Sequence, residues 1–120
     1  MLNIFKRKST GFKTISVEEA KELMKVKKDM VILDVRTEKE HEFEGNIDNS
    51  ILIDFFKIIH FKKEVEKLDK EKPYLVFCAI GGRSKAAAAV MVKMGFSEIY
   101  DMAGGIKAWQ KENSDKSNNG

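Results

Sequence analysis

The sequence predicts an α/β domain with a mostly parallel central sheet of about five strands and helices on both faces. Three observations predict it. Met30-Val31-Ile32-Leu33 is a continuous apolar run, and so is Tyr74-Leu75-Val76-Phe77. Such runs mark strands buried on both faces of a parallel sheet rather than half-solvated ones. Helix-forming stretches lie between the candidate strands, as parallel connections require. Finally, the second run leads through a glycine-containing loop, 78–84, into the helix-forming stretch Lys85 to Met94.

In chain order, residues 1–11 read as a flexible basic tail. Lys6-Arg7-Lys8 is followed by no apolar stretch of signal-peptide length. Met1-Leu2-Asn3-Ile4-Phe5 reads as a solvated lead-in, with weak contact to a membrane surface as the alternative. Lys13-Thr14-Ile15 is a short strand. Ser16 is the N-cap of the next helix, and Glu19 three residues on completes a capping box. Ala20, Leu23, Met24 and the stem of Lys27 form its inner face. The strand at Met30–Leu33 ends at Asp34-Val35-Arg36, and a short charged helix spans Glu38 to Glu44.

Ser50-Ile51-Leu52-Ile53 is the next strand, and Phe61 through Leu68 is an amphipathic helix. The cluster Phe55-Phe56-Lys57-Ile58-Ile59 reads as core or semi-buried packing, or else as a wall of the site. Lys70-Glu71-Lys72-Pro73 is a turn. Ser84 is the expected N-cap of the following helix, whose Ala86-Ala87-Ala88-Ala89 run lets it lie close to the sheet and which Gly95 ends. Ser97-Glu98-Ile99-Tyr100 is the last strand. Gly104-Gly105 turns the chain into a short helix with Trp109 as a core anchor. From Glu112 the chain is polar and expected to be disordered. The folded domain is thus expected over 12–111, with a tail at 112–120.

Composition bounds the function. The chain has 120 residues, one domain's worth at roughly 100–200 residues per domain. It is 42% hydrophobic and 34% charged, as in globular proteins. The net charge of +3 sits largely in the first residues and is too small to argue for a nucleic-acid partner. A single cysteine excludes an internal disulfide and suits a reducing compartment, so a cytoplasmic location is expected. No apolar run is long enough to span a bilayer, so stable membrane insertion is not expected. The residues offer no metal-ligand cluster and call for no bound cofactor. A monomer or weak dimer is expected.

The chemistry concentrates at Cys78-Ala79-Ile80-Gly81-Gly82-Arg83-Ser84. A strand delivers the only cysteine to a tight loop, and a helix start points its free N–H groups back at whatever the loop holds. That is a cradle for an anion, and the natural anion is the sulfur itself. The thiolate is the nucleophile, and an ordinary cysteine is only ~3% ionised at neutral pH. A helix N-terminus typically contributes ~0.3–1 kcal/mol toward the charged form. Loop N–H groups and Arg83 would have to share the rest. The bland alternative for Cys78 is a small buried hydrophobe, but a cysteine at a strand–glycine loop–helix turn is placed for activation. Neither His41 nor His60 lies in the loop.

Here the sequence resembles the rhodanese homology domain. The resemblance is carried by the Cys78 loop and by two further blocks. One is Ile32-Leu33-Asp34-Val35-Arg36 with Glu40, Phe43, Gly45 and Ile47; the other is Gly95-Phe96 followed by Ile99 to Trp109. It runs from about Phe12 to Trp109. Gly45-Asn46-Ile47 and Asp48-Asn49-Ser50 depart from the family pattern in a loop that shapes rather than reacts.

The resemblance implies a single-domain sulfurtransferase. Cys78 would take sulfane sulfur from thiosulfate or a persulfide donor as a persulfide and pass it to cyanide or a thiol. Ala79, Ile80, Gly81, Gly82, Arg83 and Ser84 would stabilise the anion. Asp34 and Arg36 would support the site from behind, with an ion pair between Arg36 and Glu38 or Glu40 as the structural alternative. Arg83 would bind the donor's anionic end, or else form a salt bridge that shapes the loop. Partners are then a small-molecule sulfur donor and a thiol acceptor, or a protein persulfide. Four residues separate Cys78 from Arg83, which fits the sulfurtransferases better than the related phosphatases with their longer loop. Uncharged Ala79 and Ile80 weaken the attraction for a dianion. That favours a persulfide relay, or a protein-binding module, with little thiosulfate turnover as the alternative.

Overall fold

In the computed structural model, which describes residues 11–119, strands and helices alternate along the chain. They are β1 (Lys13–Ile15), α1 (Val17–Val26), β2 (Val31–Asp34), α2 (Glu38–Phe43), β3 (Ile51–Leu52), α3 (Ile58–Glu66), β4 (Pro73–Phe77), α4 (Gly82–Lys93), β5 (Glu98–Met102) and α5 (Gly105–Asn119). But for Gly11, the basic tail expected over 1–11 lies outside the described residues. The strands pair in the order β1-β5-β4-β2-β3, and all four pairings are parallel.

This order positions the site. After β2 the chain moves outward to β3; after β4 it moves the other way, to β5. The loops leaving the adjacent ends of β2 and β4 therefore diverge and open a crevice there. Asp34 pairs in register with Phe77, so Asp34 and Cys78 both lie at that crevice.

All five residues of β4 are buried, which explains its continuous apolar run. Its side chains alternate between the sheet's faces. Tyr74, Val76 and Cys78 join the core that includes Phe61 and Val65 of α3 and Ala87, Ala88 and Met91 of α4. Leu75 and Phe77 join the opposite core, with Val17 and Ala20 of α1 and Ile106 of α5. The parity of β4 thus turns Cys78 toward α4. The small Ala87 and Ala88 are fully buried, so α4 approaches the sheet closely.

The expected capping box of α1 is present: the Glu19 N–H donates to Ser16 Oγ at 3.0 Å and the Ser16 N–H to Glu19 Oε1 at 2.9 Å. Ser16→Ala is expected to cost about 1 kcal/mol, measured as a lowered urea midpoint with an unchanged slope.

Three expectations are corrected. Ser84 is not the N-cap of α4. Gly81 is, at φ +121, and Ser84 sits buried inside the first turn. A glycine takes that backbone shape without the penalty a Cβ would bring, which starts the helix earlier and turns Ser84 inward. Of the stretch expected to be disordered from Glu112, residues 112–119 continue helix α5, which runs to Asn119. Lys21 of α1 donates to Asn113 Oδ1 at 2.5 Å and lies 5.0 Å over the Trp109 ring, which is partly buried, tying this polar stretch to the fold. The Phe55–Ile59 segment divides. Phe55 packs edge-on against buried Phe61 at 5.0 Å, whereas Phe56 and Ile59 are 68% and 72% exposed.

Candidate active site

Cys78 directly follows β4 and is almost wholly enclosed. The N–H groups of Gly81 and Ser84 donate to Sγ at 3.1 and 3.3 Å. Two backbone donors in the first turn of a helix favour negative charge on the atom they face. Of the loop expected to cradle an anion, these are the two N–H groups that reach the sulfur. Ile80 projects outward and is 72% exposed.

A second helix start holds the loop from beneath. The N–H groups of Ile106 and Lys107, in the first turn of α5, donate to the carbonyls of Cys78 at 2.8 Å and Ala79 at 3.2 Å. Gly105 makes this approach possible. At Gly105, φ +60, a Cβ would stand 2.4 Å from the Cys78 oxygen and 2.5 Å from the Ala79 oxygen. The first two carbonyls of the loop, of Cys78 and Ala79, are thus fixed toward α5, while further along it the Gly81 and Ser84 N–H groups face the sulfur.

Arg83 is paired at both of its terminal nitrogens. Nη1 and Nη2 each donate to Glu40 of α2 at 2.8 Å, and the guanidinium lies 4.9 Å over the ring of Phe56. Arg83 holds the Glu40 carboxyl down to about 2, helped by the Thr37 backbone N–H and opposed by burial. In return Glu40 pushes Arg83 further up, against desolvation.

Asp34 and Arg36 form a separate and fully buried unit. Arg36 Nε and Nη2 donate to Asp34 Oδ1 and Oδ2 at 2.9 and 2.8 Å, and Nη2 also donates to the Gly45 carbonyl at 2.7 Å. His41 Nδ1 lies 2.8 Å from Asp34 Oδ2. The alternative partners read for Arg36, Glu38 and Glu40, are not its partners: Asp34 takes Arg36 and Glu40 goes to Arg83. The unit ties the β2 end of the crevice to the Gly45 turn.

The sequence reading missed Asp101 of β5. It is fully buried, and its Oδ1 accepts from Ser84 Oγ at 2.5 Å. Its Oδ2 accepts from Lys85 Nζ and Thr14 Oγ1, each at 3.0 Å. The available signal was a carboxylate inside the apolar strand Ile99-Tyr100-Asp101-Met102, since a buried charge requires partners. Among the described residues no cluster of acidic, histidine and cysteine side chains could hold a metal ion, and no helix is long and apolar enough to cross a membrane.

The rhodanese-like domain family matches residues 16–112. The chain belongs to that family. It is 41% identical over 99 residues to the thiosulfate sulfurtransferase GlpE of Coxiella burnetii, covering 82% of this chain and 88% of the relative. Among solved structures, it resembles a rhodanese-related protein from Thermoplasma volcanium, with a TM-score of 0.72 and 34% identity over 84% of this chain and 93% of the other. It also resembles part of an NAD-dependent persulfide reductase from A. fulgidus, with a TM-score of 0.62 and 31% identity. That match covers 82% of this chain but 16% of the reductase. These relatives support sulfur transfer of the rhodanese type for this chain.

Proposed function

We propose that the protein is a sulfurtransferase working through a Cys78 persulfide. The observation that carries this reading is the pair of N–H groups, from Gly81 and Ser84, converging on the sulfur of the only cysteine. The Cys78 thiolate attacks the outer sulfur of the donor. A new S–S bond forms, and the donor's own S–S bond breaks with its electron pair leaving on the inner fragment: sulfite from thiosulfate, a thiolate from a persulfide. Cyanide or a thiol then attacks the outer sulfur of the persulfide, departs as thiocyanate or a new persulfide, and restores the Cys78 thiolate. This is ping-pong covalent catalysis. The two backbone donors face Sγ and so serve its negative charge before the attack on the donor and again when the thiolate is restored.

Between donors, the mouth of the site favours a persulfide. The guanidinium of Arg83 is committed to Glu40, and the neighbouring exposed side chains, Ile80 and Phe56, are apolar. A dianion such as thiosulfate finds little compensation there. In this reading the protein is a sulfur relay with modest thiosulfate turnover, acting in the cytoplasm on small or protein-borne persulfides.

Intact mass after incubation with donor tests the mechanism. Wild-type protein is expected to gain one sulfur atom that cyanide removes, and Cys78→Ser is expected to gain none. A wild type that gains no sulfur from thiosulfate or from any persulfide would overturn the reading.

A further inference from the structure

We propose that Asp101 is a positioning residue for Cys78 that acts through Ser84. By capturing the single hydroxyl proton of that serine, it favours the states in which Sγ carries no charge. The proposal rests on Cys78 being the reacting sulfur.

Ser84 Oγ lies 2.5 Å from Asp101 Oδ1, 3.3 Å from the Gly81 carbonyl oxygen and 3.4 Å from Cys78 Sγ. All four residues are buried. A serine hydroxyl has one proton to give and two lone pairs to accept with. Of its three neighbours the carboxylate is the strongest acceptor. The proton therefore goes to Asp101, and the oxygen presents lone pairs to the sulfur. A thiol can donate its S–H into them; a thiolate cannot.

Cys78 thus sits between opposed influences. The Gly81 and Ser84 N–H groups favour a charged sulfur, and the Ser84–Asp101 pair favours an uncharged one. The resting thiol satisfies the serine. The persulfide has no S–H at Sγ to donate, but it removes the conflict, because its negative charge lies mainly on the outer sulfur. The bare thiolate is the state the pair disfavours, which gives sulfur loading an added pull.

The surrounding charges leave this assignment intact. From α4, Lys85 donates to the other oxygen of Asp101 and fixes the carboxylate, together with Thr14 of β1. Arg83, also from α4, is paired with Glu40 of α2, and Asp54 ahead of α3 acts on Arg83. Asp34, Arg36 and His41 are paired among themselves.

Thiolate absorbance titrated against pH tests the proposal directly, because the chain has one cysteine. The measurement reads the sulfur whether or not sulfur transfer occurs, so its failure is separable from failure of the proposed function. Asp101→Asn is expected to move the midpoint to lower pH by about 0.5 unit or more. In a Ser84→Ala background the same substitution is expected to move it by less than half as much. No movement, movement to higher pH, or equal movement in both backgrounds would overturn the proposal; the last would mean a plain field effect of the carboxylate.

Circular dichroism checks that each variant is folded. If Asp101→Asn does not fold, Lys85→Met makes the same comparison. Losing the Nζ donor strengthens the carboxylate's hold on the hydroxyl, so the midpoint should rise more with Ser84 present than in the Ser84→Ala background; equal rises would overturn the proposal.

Discussion

Gly105→Ala is expected to lower the melting temperature by about 10 °C and to remove most of the sulfur loading at Cys78. The residue has φ +60, a conformation that costs a residue with a Cβ about 1–2 kcal/mol by itself. The larger problem is space. The new methyl would lie 2.4 to 2.6 Å from the carbonyl groups of Cys78 and Ala79. Those atoms are backbone and cannot rotate away as a flexible side chain would. Either the loop lifts from α5 and loses the hydrogen bonds from Ile106 and Lys107, or the start of α5 unwinds. The combined cost is about 3 kcal/mol, which at roughly 4 °C per kcal/mol for a chain of this size gives the expected shift.

Activity should fall further than stability, because the displaced peptides join Cys78 to Gly81, whose N–H faces the sulfur. Gly82→Ala is the internal control. Its Cβ meets nothing within 4 Å, and Gly82 lies in α4, so it should raise stability by about 0.4–1 kcal/mol. A Gly105→Ala protein that melts like the wild type would show that the loop does not depend on this close approach.

The parts of this architecture that could be read from the sequence are those whose causes are local. Tyr74 to Phe77 reads as a buried strand because every one of its side chains is buried. Ser16 with Glu19 reads as a helix start because the two groups that satisfy each other are three residues apart. The loop at Cys78 is legible because strand, glycines and helix follow in order. The illegible parts depend on pairing across the fold. Glu40 completes a capping box with Thr37, and nothing nearby says that its carboxylate also holds Arg83, 43 residues away. Asp101 becomes meaningful only once β5 lies beside β4 and brings it to Ser84. Phe55 and Phe56 are adjacent and chemically identical, yet one packs against Phe61 and the other lies under a guanidinium. Composition cannot divide them.

Glu40→Gln is expected to cost about 2 kcal/mol of stability at pH 6 and to change which donors the site accepts. The folded-state value for Glu40 is depressed from 4.5 to about 2, chiefly by Arg83. A depressed carboxyl contributes stability that is fully present above its unfolded value and lost as pH falls through the folded one. The shift would correspond to about 3 kcal/mol; the pair is about a fifth exposed, and solvent screening lowers that to about 2 kcal/mol.

Urea unfolding of wild type and Glu40→Gln should therefore differ by a constant amount above pH 4.5 or so. The difference should shrink below that and nearly vanish close to pH 2. A difference that does not change with pH would mean that Glu40 acts through packing alone. The same substitution releases Arg83 from its bidentate partner while leaving it beside the mouth of the site. If Glu40 is what keeps the site from attracting dianions, the KM for thiosulfate should fall severalfold in Glu40→Gln, with a smaller change for a singly charged alkyl persulfide. If Arg83 serves only to shape the loop, freeing it should lower kcat for both donors and leave their ratio unchanged. Arg83 is the one arginine of the 78–84 loop, so the comparison decides whether its charge is held in reserve by Glu40 or spent on the fold.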